Sequence, residues 1–463
     1  MTTASFSSVL NANLTPKLMF NSYMWDTYIM RKTRSRYTQW HGGPLQLPFE
    51  GGEQSNYQSG GGLVPQAKIG TDTYIKGTLQ NYKLIHGALV FQQRDLDQIG
   101  SSAMIPRDTF FKLRIGEKIK KSKARFQFLF SHSILNGGPF VKATATANSG
   151  VITVDYPNRL NIGQRVVVGR KATSTTAPNP TQEAYVKSID INSKQITLSS
   201  GLGGTGTNVN WVTEGYTIVG AATVAIYNPG DETEANPFTS LPSQILPGSH
   251  AEGSTSLFGQ LKTSYPFLQS IAKNDADSAS TTYSALLFKL FDTAQDLIDY
   301  GQPQAPGYGE RMSEDGNKSI KGRMNDTIDV VMSLRHFGGF QKYFLEKRGD
   351  YFKKVDGDTT KFFDVKTIYI LVSDGSMLRF IGVKGMREDL IYFMGNDCTQ
   401  FASLGFIKMY IDPDNNKFYK LRDDTNGYSY ICDFVLYGDF ILKRPAGCAV
   451  LYGVPNASTL MIT

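Results

Sequence analysis

Cysteine is scarce: Cys398, Cys432 and Cys448 are the only three in 463 residues. An odd number cannot all pair within one chain, and none has zinc-site spacing, so reduced thiols in a cytosolic setting are expected. Histidine is nearly as rare. His41, His86, His132, His250 and His336 form no HxxxH or HxH pair, which excludes a zincin helix and a close two-histidine metal site. There is no Walker loop and no Gly-x-Ser-x-Gly elbow. Charged residues are 19%, below the roughly 25% of ordinary soluble chains. No run of 18 apolar residues occurs, so no helix is expected to span a membrane. The opening Met1–Ser8 has no basic region followed by an apolar stretch, so no secretory signal is expected. A sparse catalytic inventory in a chain this long points away from an enzyme, and no cofactor or metal is expected.

What is abundant is glycine, with 45 residues, and aromatics, with 28 Phe and 24 Tyr. This composition favours strands and turns and excludes a coiled coil or a wholly disordered chain. At about 150 residues per domain the length suggests about three structural units. Residues 1–41 read as a basic arm, in which Lys17, Arg31, Lys32, Arg34 and Arg36 stand against Asp26 alone. Met19, Phe20, Tyr23, Met24, Trp25, Tyr28 and Ile29 make that arm too apolar for a free tail. Residues 42–66 are glycine-dense, and the β-rich runs 74–79 and 83–90 after them are expected to form a hairpin. Pro106 suits the first turn of a long helix over 104–135, and Asn136-Gly137-Gly138-Pro139 stops it. Phe111, Ile115, Ile119, Phe126 and Leu129 should form its buried stripe. Arg107, Arg114, Lys118, Lys121 and Arg125 fall within about 60° of one another on the helix, a basic stripe beside the apolar one. The whole chain carries +7, so arm and helix hold the positive charge and the remainder is slightly acidic.

Residues 140–222 change character. Short strands at even spacing suggest a small all-β sandwich or barrel inserted into a larger domain. Residues 223–463 read as a mixed α/β half. A helix capped by Ser280 or Thr281 should run to about Asp299, with Leu286, Leu287, Leu290, Phe291, Ala294, Leu297 and Ile298 toward the core. A strand at 330–332, a second helix ending at Gly349, and strands at 368–372, 406–411, 440–442 and 449–452 should follow. Four motifs point to bland readings. Gly201-Leu-Gly203-Gly-Thr-Gly206 fits GxGxxG, but a strand-like Asn-Val-Asn-Trp follows where a phosphate-binding helix is needed, so it reads as a turn. Asp412-Pro-Asp414-Asn-Asn416 begins like a calcium loop, yet Lys417 and Lys420 occupy the positions for glycine and a ligand, and Asp423 replaces the bidentate Glu. His250 and Glu252 sit in a Gly/Ser loop, and Arg348-Gly349-Asp350 follows a helix end.

The order of these parts carries a resemblance. Residues Tyr74 to Gly100, the helix up to Ser133-Ile-Leu-Asn-Gly-Gly, Val330-Val-Met-Ser-Leu-Arg-His-Phe and Tyr437-Gly-Asp-Phe-Ile-Leu-Lys-Arg-Pro-Ala-Gly resemble the major capsid proteins of tailed bacteriophages, which share the Hong Kong ninety-seven capsid fold. The resemblance covers most of the chain outside 140–222. It implies an α+β fold divided into a 1–41 arm, a 42–91 E-loop-like extended hairpin, a 92–139 spine-helix region of the P-domain, a 140–222 inserted β-domain, and a 223–463 remainder of P- and A-domains. It implies a virion shell protein, assembled in the host bacterial cytoplasm as hexamers and pentamers around double-stranded DNA. The expected partners are the protein itself, packaged DNA through non-specific electrostatics, and scaffolding, portal and decoration proteins. Because the E-loop-like stretch begins at Gly42, a separate scaffolding protein is expected if one is used. Lys68 and Lys76 lie near the region where some members cross-link, with no partner assignable. Arg107, Arg114, Lys118, Lys121 and Arg125 are the expected DNA-facing residues. The alternatives are a tail or portal-associated virion component, or an enzyme or carbohydrate-binding protein with a β-sandwich module.

Overall fold

The computed structural model describes residues 28–29, 37–39, 44–51, 73–79, 83–92, 107–137, 141–145, 150–154, 157, 160–170, 182–201, 204–205, 207–208, 222–227, 238–250, 252–301, 327–353, 368–371, 377–395, 398–403, 408–409, 420–424 and 427–462. They belong to two compact units. One joins Met1–Asn136 with Phe238–Thr463, and the other is Gly137–Pro237.

In the first unit the N-terminal segments supply strands to sheets completed much later in the chain. β1 (Tyr37–Gln39), β2 (Leu45–Gly51), β3 (Thr73–Leu79) and β4 (Lys83–Gln92) precede helix α1 (Arg107–Leu135). β2 and β3 pair antiparallel, Leu45 opposite Leu79. The expected hairpin between 74–79 and 83–90 is therefore corrected. The run 83–90 buries Ile85 and Leu89 in a core shared with Phe434 and Leu436, and it pairs with residues 429–438. A distant strand of matching apolar pattern outcompetes the neighbour in sequence, because strand stability comes from cross-strand packing more than from proximity.

The second unit is a closed barrel. Its strands are β5 (Val141–Ala145), β6 (Val151–Val154), β7 (Arg165–Arg170), β8 (Gln182–Asp190), β9 (Gln195–Ser199) and β10 (Ala222–Tyr227), in the order β10-β5-β6-β9-β8-β7. Alternation sets which side faces in. Ile152, Val154, Val166, Ala184, Val186, Ile196 and Leu198 are buried, while Thr153, Lys187 and Gln195 are exposed. A boundary at 222 would cut off β10, the strand that pairs with both β5 and β7 and closes the barrel. Closure leaves no unpaired edge.

From Phe238 the first unit resumes with α2 (Leu241–Ile245), β11 (Ser256–Leu257), β12 (Gln260–Leu261), β13 (Ile271–Asn274), α3 (Tyr283–Asp296), β14 (Thr327–Ser333), α4 (Leu334–Lys353), β15 (Ile368–Leu371), β16 (Met377–Val383), β17 (Leu390–Met394), β18 (Thr399–Ser403), β19 (Lys408–Met409), β20 (Lys420–Asp424), β21 (Gly427–Leu442) and β22 (Cys448–Tyr452). The first sheet is built around β21. β4 runs along it, and β18, β19 and β20 take successive stretches, with β1 parallel to β18. The second sheet has the order β13-β22-β17-β14-β16-β15. β14 is buried at six consecutive positions, Ile328–Ser333, the pattern of a central strand covered on both faces.

Two helix readings and one strand reading change in detail. The cap of α3 is Thr282, whose Oγ1 accepts from the Ala285 amide at 3.1 Å. Ser280 is instead bonded to the buried Asp275. Leu286, Leu290, Ala294 and Leu297 are buried, and Leu287, Phe291 and Ile298 are partly so. α4 continues past Gly349 to Lys353, so the Arg-Gly-Asp stretch is helical backbone. Of the expected strand 406–411, the described strand is Lys408–Met409.

Candidate functional site

Helix α1 spans 29 residues, about 43 Å at 1.5 Å per residue. Its C-terminal half enters the core. Of the expected apolar stripe, Phe126 is buried, Ile119 packs on the core, and Leu129 is half-buried. The side chains of Phe111 and Ile115 lie outside the described residues. The deepest contacts come from Phe130, Ile134 and Leu135. Phe130 meets Phe238 and Phe401 edge-on at 5.4 and 5.5 Å, and those two rings meet at 5.6 Å. Each such pair contributes about 0.5–1.5 kcal/mol beyond burial. The signal for them was present in the Phe126-Gln-Phe-Leu-Phe130 run, but two apolar faces competed within it.

The helix ends in a polar socket. Gly137 takes φ 59°, a left-handed turn that releases the chain. The Tyr392 hydroxyl donates to the Leu135 carbonyl at 2.6 Å. Asn136 Nδ2 donates to the Gly385 carbonyl at 2.8 Å, and its Oδ1 accepts from the Arg387 amide at 2.8 Å. The buried Arg387 guanidinium then reaches Glu252 Oε2 at 2.5 Å and both oxygens of Asp389. Burial alone would lower its pKa, but hydrogen bonding and charge from Asp389, with Glu252 behind, push it up. No acid–base pair forms between His250 and Glu252. Glu252 donates its amide to His250 Nδ1 at 3.2 Å while its carboxylate serves Arg387.

Two further hubs tie distant segments. Tyr28, from the arm, donates its hydroxyl to Asp329 Oδ2 at 2.8 Å, and Arg379 Nε donates to Asp329 Oδ1 at 2.7 Å. Burial of the Tyr28 hydroxyl, then the Asp329 charge, raises its pKa. Ile29 beside it is fully buried, so this much of the arm packs inward. Glu388 accepts from Arg335 Nη1 at 3.2 Å and from the Ala457 amide at 2.7 Å. Its carbonyl lies 2.9 Å from His336 Nε2, and burial pushes the His336 pKa down. The carboxylates of Asp329 and Glu388 are engaged by these structural partners, while His336 Nδ1 is buried without one. Among the described residues no group of three or more His, Cys, Asp or Glu is placed to hold a metal.

The remaining sequence motifs resolve similarly. Gly204 has φ +84°, and a Cβ at Gly201 would sit 1.9 Å from the Thr205 carbonyl oxygen. The Gly204 amide donates to the Gly201 carbonyl at 3.1 Å, closing a tight turn beside the Ser199–Asn208 bridge. Asp412–Asn416 lie outside the described residues, while Lys420 and Asp423 belong to β20. The three cysteines form no disulfide and are buried, and burial raises the Cys432 thiol to about 12.

The basic face is described in part. Lys121 is exposed, Lys118 and Arg125 are half-buried, and Arg107 and Arg114 belong to the helix with side chains outside the described residues. The Arg125 guanidinium lies over the Phe128 ring at 5.5 Å. Lys384 is exposed on the turn between β16 and β17, and that turn rests against Phe128, Ser131 and His132.

No protein-family model matches the chain, and no curated protein does. The chain is similar to solved capsid structures. The procapsid of satellite phage P4 including its size determination protein is 12% identical, with 96% of this chain and 92% of that one covered and a TM-score of 0.37. The capsid asymmetric unit of cyanophage A-1(L) is 10% identical, with 90% of each chain covered and a TM-score of 0.37. The capsid of the native GTA particle is 10% identical, with 94% and 91% covered and a TM-score of 0.36.

Proposed function

We propose that this protein is a structural, non-enzymatic shell subunit, the major capsid protein of a tailed bacteriophage, which self-assembles into an icosahedral shell of hexamers and pentamers around double-stranded DNA. The observation that carries the reading is the order and interlocking of parts in one chain. An arm, a β-hairpin and a 29-residue helix come first, a separate barrel follows, and the mixed α/β remainder takes strands β1 and β4 back into its own sheet. In this reading the segment around β2–β3 is the extended E-loop, α1 the spine helix, the barrel the inserted β-domain, and the remainder the P- and A-domains. A closed shell reuses a few patches many times, which suits a subunit whose polar groups build structure. The basic face of α1, with Arg107, Arg114, Lys118, Lys121 and Arg125, would meet phosphates without reading bases. Partners in this reading are further copies of the chain, with scaffolding, portal and decoration proteins, and the protein resides in the virion after assembly in the host cytoplasm.

The test is electron microscopy and analytical sedimentation of the purified full-length protein, alone and after co-expression with its neighbouring virion genes. Closed shells of uniform diameter are the expected result. A protein that stays monomeric, or forms only tubes or tail-like rings under both conditions, would overturn it.

A further inference from the structure

We infer that Lys384 extends the basic face of α1 into a single phosphodiester-binding row, Lys118–Lys121–Arg125–Lys384, to which two distant parts of the chain contribute. This rests on the polyanion-facing reading of the helix and adds a residue that sequence periodicity does not place there. Lys118, Lys121 and Arg125 share one helical face by their spacing. Phe128 follows Arg125 by three residues, and the Arg125 guanidinium lies over its ring. The turn that carries Lys384 packs against the edge of the same ring. A Cβ at Gly385 would sit 2.6 Å from Phe128 Cε2, and Gly385 has φ +80°, so the turn is pressed against the ring in a conformation that favours glycine. The turn is pinned there. Asn136 Nδ2 holds the Gly385 carbonyl, Asn136 Oδ1 holds the Arg387 amide, and the Met386 amide donates to the Val383 carbonyl. The backbone at 384 is therefore fixed while its side chain remains exposed.

From Lys118 to the level of His132, where the turn touches the helix, the rise is about 21 Å. Duplex DNA carries one charge per about 1.7 Å of axis, so a row of this length faces several phosphates. Lys121 and Lys384 are exposed, and of the acids near the turn Glu252 and Asp389 are engaged by Arg387. A row of ammonium and guanidinium groups on a rigid support recognises backbone phosphate of any sequence.

The experiment compares Lys384→Gln, Lys384→Arg, Lys121→Gln and the exposed Lys342→Gln of α4 in the full-length protein. Binding to short DNA duplexes of two unrelated sequences is measured across a salt series, and shell yield without DNA is recorded for each variant. The expected result is that K384Q and K121Q each reduce the slope of log affinity against log salt by about 0.9, equally for both duplexes. K384R and K342Q should keep the wild-type slope. A slope lost in K121Q but kept in K384Q overturns the Lys384 assignment and leaves the helix reading standing. A wild-type protein with no salt-dependent DNA binding overturns both. Loss of DNA-free shell assembly in K384Q, with the DNA slope unchanged, makes the turn a protein interface and overturns the inference.

Discussion

The two units bury different kinds of group. The barrel's interior is Ile152, Val154, Leu160, Val166, Ala184, Val186, Ile196 and Leu198, and Ser199 is the buried polar residue among those described there. The larger unit buries Asp275, Asp329, Asp439, Glu388, Arg387, Lys262 and His336 beside its apolar core. Connectivity explains the difference. In the barrel, β5–β6, β7–β8 and β8–β9 pair as sequence neighbours, so closure and alternation fix the register. In the larger unit β1 joins β18, β4 joins β21, and Tyr28 meets Asp329 across 301 residues. Distant apolar segments have many near-equivalent ways to associate. A buried charge that needs one particular partner removes most of them, because leaving it unpaired is costly. The comparison teaches that the barrel is specified by local pattern, and the larger unit by polar keys.

The comparison breaks first at Asp329. Removing its carboxylate strands the Tyr28 hydroxyl and the Arg379 guanidinium. Asp329→Ala should cost about 3–5 kcal/mol and should increase hydrogen exchange in β1, β14 and β16 together. Tyr28→Phe, which leaves the Asp329–Arg379 pair intact, should cost about 1.5–3 kcal/mol and act mainly on the arm. If D329A lowers the denaturation midpoint no more than a surface substitution, the polar keys are ornaments of a fold held by apolar packing.

The same contrast decides what was legible in the sequence. Helix α1 announces itself through Pro106 and the Asn136-Gly137 stop, and α3 through its leucines, because helical periodicity is local. The barrel's strands are legible by period-two alternation, although β10 was hidden by the small residues Gly220-Ala-Ala-Thr at its start. The pairing of 83–90 was misread, because nothing inside that run names a partner at 429–438. Lys384 was invisible for the same reason. It reaches the helix face only because Gly385 folds a turn onto Phe128. The Arg387 socket was illegible too, since Asn136, Glu252 and Asp389 converge from three separate stretches.

A second break tests the barrel. Leu198 is fully buried among Ile152, Val186 and Ile196 in strands that pair with one another. Leu198→Ala should cost about 2–4 kcal/mol through lost burial and the cavity left behind. Hydrogen exchange should accelerate across β6, β8 and β9, while β14 and β17 keep wild-type protection, because local packing specifies that unit by itself. Equal loss of protection in both units would show that the barrel shares its stability with the larger unit, and the contrast between them would fail.

The smallest expected effect sharpens what a polar key requires. Asp439 is buried, and its Oδ1 accepts from the Thr239 amide at 2.6 Å and the Phe440 amide at 2.8 Å, while Oδ2 lies 2.6 Å from the Thr239 hydroxyl. Burial raises its pKa against the opposing pull of those hydrogen bonds. The sign follows from proton counting. Below the unfolded value of 3.8 both states are protonated. Between 3.8 and the raised folded value the native state holds a proton that the unfolded chain has released, so this group's contribution to stability falls as pH rises through that window. Asparagine keeps an acceptor for the two amides, and its Nδ2 donates to Thr239 Oγ1 once that hydroxyl turns. Asp439→Asn should therefore change stability at neutral pH by less than about 1 kcal/mol, and should remove that window's share of the wild-type pH dependence. Asp439→Ala, which strands three donors, should cost clearly more. Urea midpoints for the wild type and both variants at pH 4, 5.5 and 7 read this directly. A D439N loss as large as that of D329A would mean that the key at 439 works through its charge, and not through its pattern of acceptors.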